Sequence, residues 1–217
     1  MRIKVGIAVF LLCSNLGLGS HTADAETQQK MNTGYDGHWW LSISSSERSG
    51  FLNGYFDCYT YEFNGSARFT KNPPDTARSL VTKFYEENSA HLADPVSDVF
   101  YRFRNHTREN AMTGDGEPIN GRHGYYDGTY WKQMSALGGK AEQLGFVEGY
   151  LWCHAHLLQN QGGIFSKAPA KYVVLISRWY KFNSETEDMD AKREPTKIAD
   201  VFSKFREKKS GQSEYPR

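Results

Sequence analysis

The feature that most constrains this chain is that it is written twice. Gly50-Phe51-Leu52-Asn53-Gly54-Tyr55-Phe56-Asp57-Cys58 returns 95 residues later as Gly145-Phe146-Val147-Glu148-Gly149-Tyr150-Leu151-Trp152-Cys153. The same shift pairs Glu47 with Glu142, Pro74 with Pro169, Leu80 with Leu175, Tyr85 with Tyr180 and Asn88 with Asn183. Between 50 and 88, nine of 39 positions are identical, where unrelated chains of ordinary composition give about two or three. Upstream the offset is 91, pairing Asp36-Gly37 and Trp40 with Asp127-Gly128 and Trp131. Downstream, Pro95, Asp98-Val99-Phe100 and Phe103-Arg104 pair with Pro195, Asp200-Val201-Phe202 and Phe205-Arg206. Two copies are too few for a solenoid, so the expectation is a pair packed on each other with pseudo-twofold symmetry.

The reading is all-α: two tandem copies of a roughly three-helix unit, over 35–104 and 125–208. A linker at 105–124, rich in Gly, Asn and charge, joins them, and 209–217 reads as a flexible tail. Ser44-x-x-Glu47 is a capping box that starts a long helix near Ser45, running towards Phe63. Asp75 reads as the N-cap of a second helix ending near Asn88. Its buried face is expected at Ala77, Leu80, Val81 and Phe84, and in copy two at Tyr172, Leu175, Ile176 and Trp179. Tyr172 to Ile176 favours a strand on propensity alone; the helical pattern of its partner segment overrules that. Asp94-Pro95 and Glu194-Pro195 should each open a third helix. A short turn of helix is expected around Trp39-Trp40 and Tyr130-Trp131. Four residues added near Leu137 to Lys140 amount to about one helical turn.

Gly50, Gly54 and Cys58 stand four apart and form one small-residue stripe, as do Gly145, Gly149 and Cys153. Glycine inside a helix costs about 1 kcal/mol relative to alanine, so four at matched positions need a reason. Close approach of another backbone is that reason, and the two long helices are expected to cross through the stripes. Cys58 and Cys153 would then meet as a disulfide; the alternative is two free buried thiols.

Met1-Arg2-Ile3-Lys4, the apolar run Val5 to Leu18 and Ala23-Asp24-Ala25 have the three parts of a signal peptide, cleaved after Ala25. The run is shorter than the roughly 20 residues of a membrane span. Removing residues 1–25 takes Arg2, Lys4 and Asp24, so 26 basic and 25 acidic side chains become 24 of each. It also removes Cys13 and leaves a matched cysteine pair in an oxidising compartment. A soluble periplasmic or secreted product is expected. The charge balance takes away the case for a nucleic-acid binder, and no other apolar stretch could span a membrane.

Glu47 and Glu142 could do paired acid–base work, though helix capping accounts for Glu47 without chemistry. Cys153-His154-Ala155-His156 resembles a metal cluster, but two residues apart on a helix the histidines point to different sides. The paired aromatics Trp39-Trp40, Phe84-Tyr85, Trp179-Tyr180 and Tyr125-Tyr126 read as packing, with a ligand groove between the copies as the alternative. Lys204 to Lys209 is basic but ends a helix, where positive charge suits the dipole. Asn64 and Asn105 stand in glycosylation sequons. No phosphate loop or nucleophile elbow occurs in the sequence, so neither an enzyme nor a cofactor or metal is expected.

Gly-Phe-x-x-Gly-Tyr-x-x-Cys, followed by Ala77-Arg78-Ser79-Leu80-Val81-Thr82-Lys83-Phe84-Tyr85-Glu86-Glu87-Asn88 and Asp94-Pro95-Val96-Ser97-Asp98-Val99-Phe100, resembles the periplasmic immunity proteins that neutralise type VI secretion amidase effectors. The resemblance covers about 60 residues of copy one and more loosely the same span of copy two. It implies an all-helical, exported, disulfide-containing protein that plugs the active site of a peptidoglycan-cleaving enzyme. This chain differs in having two units and in placing its cysteines at the end of the glycine stripe. The functional expectation is an exported, non-enzymatic binding protein of the bacterial envelope with a protein partner, an inhibitor of a cell-wall hydrolase. The alternative is a periplasmic enzyme or small-ligand binder using an aromatic groove between the repeats.

Overall fold

Short polar side chains set where the helices begin. Asp36 Oδ1 accepts from Trp39 N at 2.9 Å and starts α1 (Gly37–Ser42). Ser44 Oγ accepts from Glu47 N at 3.1 Å at the start of α2 (Ser45–Glu62), the expected capping position. Then follow α3 (Pro74–Glu87), a 3₁₀ turn (Ser89–His91) and α4 (Val96–Arg102). The second half holds α5 (Gly128–Leu137), α6 (Gly139–Leu158), α7 (Pro169–Tyr180) and α8 (Ile198–Lys204). The computed structural model describes residues 35–62, 74–103, 126–137, 139–158, 164–183, 185–186 and 188–207. The expected signal peptide, the linker 105–124, the tail 209–217 and both sequons lie outside these residues. Among the described residues the fold is all-α, with isolated backbone bridges and no strand.

Several expectations hold in detail. Tyr172 to Ile176 lies inside α7. The four added residues lengthen the short helix: α5 has 10 residues where α1 has 6. Others need correction. Asp75 is not an N-cap, because α3 begins one residue earlier at Pro74. Pro195 does not open α8; Lys197 is its N-cap, and the turns around Asp190 take up the intervening residues. Asp36 bridges Pro95, whereas Asp127 bridges Lys197. The buried faces of α3 and α7 are centred on Ala77, Val81, Tyr85 and on Tyr172, Ile176, Tyr180. Leu80, Phe84, Leu175 and Trp179 are only half-buried. The tyrosines can go inward because their hydroxyls donate to backbone carbonyls, Tyr85 to Asp94 at 2.9 Å and Tyr180 to Thr196 at 2.7 Å.

At the centre lies α2, buried on nearly every side from Gly50 to Tyr61. Its neighbour is α6, whose glycines face it. A Cβ added at Gly50 would sit 2.0 Å from the Glu142 carbonyl oxygen, and one at Gly54 would sit 1.9 Å from that of Phe146. In return, Gly145 faces the Glu47 carbonyl (2.1 Å) and Gly149 that of Phe51 (1.9 Å). Partner numbers rise together, so the two helices run in the same direction. The glycine Cα atoms come within about 3.5 Å of these oxygens, the range of Cα–H···O contacts. No side chain fits between the two backbones.

Candidate binding groove

The helix crossing brings together all the residues the stripe argument singled out. Gly50, Gly54, Gly145 and Gly149 form the contact, and Cys58 and Cys153 meet one turn further on in a thiol–thiol hydrogen bond. The expected disulfide is corrected here: both cysteines are buried, free thiols. Burial pushes both thiols up, Cys58 the further. A thiol kept protonated by burial is a poor nucleophile in the folded protein. Ellman's reagent should therefore label neither thiol in the native protein and both in guanidinium; fast native labelling would contradict this packing.

Around the crossing, several contacts in one half resemble contacts in the other. Trp40 Nε1 donates to Thr82 Oγ1 at 3.0 Å, and Trp131 Nε1 to Ser177 Oγ at 3.1 Å. Phe100 packs edge-on against Tyr55, and Phe202 stacks on Tyr150 at 4.0 Å. Arg102 lies over the Phe84 ring and Arg193 over that of Trp179. The aromatic pairs therefore serve packing: Trp40, Trp131 and Tyr180 are fully buried and Tyr85 nearly so.

Where the halves meet, their contacts differ in polarity. Tyr126 donates its hydroxyl to Asn53 Oδ1 at 3.0 Å and its backbone N–H to Asp57, while Asn53 Nδ2 donates to Tyr130 Oη at 2.6 Å. On the other side, Tyr35 packs on Trp39, Phe51 and Trp152. Burial first, then the charges of Glu148 and Glu47, raise the Tyr35 hydroxyl far above the phenolic range. His154 is buried edge-on against Phe165, and His156 stacks on Trp152. Among the described residues no three His, Cys, Asp or Glu side chains gather as a metal site, and no helix is long and apolar enough to cross a membrane.

Glu47 and Glu142 lie on different helices, α2 and α6. Glu47 belongs to the α2 cap, whereas the Glu142 carboxyl is raised by partial burial on α6, with Arg78 opposing the shift. A carboxyl raised on folding binds its proton more tightly in the native state, so stability falls as pH rises above its ordinary titration range. Glu142→Gln should remove that loss. Its melting temperature should exceed the parent's at pH 7 and match it near pH 3; a lower value at pH 7 would contradict the assignment.

One open concavity of about 510 Å³ lies between α5, α6 and α7. Leu144, Ala170, Val173, Val174 and Phe182 provide its apolar lining, Ser135, Gln143 and Ser177 its polar atoms, and Lys140 and Arg178 its charges. Leu137 at the end of α5 is 87% exposed and Val174 47%. The residue aligned with Gln143 in the first half is Arg48. It donates to the Trp40 and Leu41 carbonyls at 2.7 and 3.0 Å and lies over the Trp40 ring. Gln143 itself donates to the Trp131 carbonyl at 3.1 Å. The positions matching Ser49, Arg78 and Ser79 hold Leu144, Val173 and Val174. The groove opens where a long cation is shortened and three polar positions become apolar. Sequence reasoning passed over these residues, although the repeat alignment carries the signal at those positions. No family model matches the chain, and neither does any curated protein or solved structure.

Proposed function

We propose that the chain is an exported, non-enzymatic binding protein of the bacterial envelope. It is built from two tandem copies of one helical unit related by a pseudo-twofold axis, and its binding site is the groove of the second copy. The groove carries this reading: a cavity of about 510 Å³ is within the size range of small-ligand sites, roughly 300–1,000 Å³. The reciprocal glycine contacts support the tandem arrangement. So do the matched Trp40–Thr82 and Trp131–Ser177 hydrogen bonds.

The resemblance to amidase immunity proteins supplies one partner class, a peptidoglycan hydrolase whose active site the protein would block. The test is release of muropeptides by purified amidases with and without the protein. Inhibition that Val174→Arg removes supports the reading. No inhibition of any amidase removes the hydrolase partner. The cavity itself favours a second reading, a small-ligand binder that uses this groove rather than an aromatic one between the copies.

A further inference from the structure

The groove's chemistry specifies more than its size. Its floor comes from Leu144, Val173, Val174 and Phe182, which would desolvate an alkyl or aryl body. Lys140 and Arg178 are the only charged side chains in the lining among the described residues. Among the described residues neither has a carboxylate partner within ion-pair distance. The corresponding face of the first half is charged differently. Arg78 pairs with Asp75 at 3.3 Å, and Lys83 with Glu87 at 3.7 Å. At the places of Asp75 and Arg78 the second half has Ala170 and Val173. That exchange removes the internal acid and leaves cations beside an apolar trough.

We propose that the α5–α6–α7 groove binds a single-chain amphiphile with a carboxylate head, its tail on Leu144, Val173, Val174 and Phe182 and its head between Lys140 and Arg178. This rests on reading the groove as the binding site. Charge complementarity decides the head group. A neutral amphiphile would leave both cations unpaired, and a cationic one would be repelled. The apolar floor decides the body, since a small hydrophilic anion would leave it wet.

The test titrates the purified full chain with dodecanoate and with dodecanol by calorimetry. Dodecanoate should bind saturably at one site, and dodecanol more weakly. Lys140→Met with Arg178→Met should weaken dodecanoate about tenfold, as expected for losing two partly exposed ion pairs, and leave dodecanol within about twofold. Val173→Arg should abolish binding of both. It installs the residue found at the matching position of α3, so it should keep the parent's circular dichroism and melting behaviour. A second variant, Val174→Ser, repeats the test with the residue that α3 has there, and should weaken both ligands. No saturable dodecanoate binding overturns the proposal, as does binding that survives Val173→Arg. Equal loss of both ligands in the Lys140 and Arg178 variant overturns the carboxylate assignment. If dodecanoate fails to bind but Val174→Arg still removes amidase inhibition, the proposal falls while the groove stands as a protein-binding site.

Discussion

Gly54→Val should leave the chain without a folded state at 25 °C. The first added carbon would lie 1.9 Å from the Phe146 carbonyl oxygen and 2.9 Å from its Cα. Both belong to the backbone of a fully packed helix, which no rotamer change can move aside. Relief requires separating α2 from α6, and that uncovers Phe51, Tyr55, Phe146 and Tyr150, all of them fully buried. The cost should be at least about 4 kcal/mol, beyond ordinary overpacking, against a total stability of about 5–15 kcal/mol for a typical domain. Gly149→Val faces the same oxygen distance from the other side, at the Phe51 carbonyl, and should behave alike. Gly139→Ala provides the contrast. Nothing lies within 4 Å of the added carbon, so only its φ of +64° is unfavourable, a penalty of about 1–2 kcal/mol. Urea unfolding of the three variants should separate two failures from one mild loss.

Arg206→Met should cost about 3–5 kcal/mol, because it strands a buried carboxylate. Arg206 Nη2 donates to Glu62 Oε1, joining the end of α2 to the segment just after α8. The side chains are 13% and 6% exposed, far drier than the other ion pairs among the described residues. Arg206 also lies over the Phe165 ring, 5.7 Å from its centre. Replacing both charges, Glu62→Leu with Arg206→Met, should recover most of the loss, since a well-packed apolar pair can match a buried ion pair. A double-mutant cycle in urea reads this directly. A loss under 1 kcal/mol in the single variant would show the pair to be solvated, as exposed pairs are.

The crossing was legible because it is carried by residue size. Glycines four apart on two matched helices have few uses in water other than backbone contact, and all four make it. The helical state of Tyr172 to Ile176 was legible only through its repeat partner, since β-branched propensity points the other way. Along α3 and α7, Ala77, Val81, Tyr172 and Ile176 are buried as expected, while Tyr85 and Tyr180 take the burial expected of Phe84 and Trp179. Hydropathy ranks Leu80 and Phe84 above Tyr85, but the Tyr85 hydroxyl reaches the Asp94 carbonyl, and so the ring can be buried. The start of α8 was misread because Pro195 is a strong helix-opening signal; the turn set by Asp190 delays the helix to Ile198. The cysteine pairing was half legible: spacing brought the sulfurs together, while their protonation depends on burial that spacing does not contain. The groove was hidden for a different reason. It arises where the aligned segments differ, Arg48 against Gln143 and Arg78 against Val173, whereas the helix crossing is carried by residues that are identical in both.

The most direct measurement of the central claim, that the long helices share one backbone contact, is hydrogen exchange in Gly54→Ala. This milder variant makes the same first-carbon contact without valine's two further methyl groups, so it should stay folded at a lower stability. If α2 and α6 stabilise each other, protection should fall together at residues 50–58 and 145–153, and to the same extent. Loss confined to α2, with 145–153 exchanging as in the parent, would contradict the crossing.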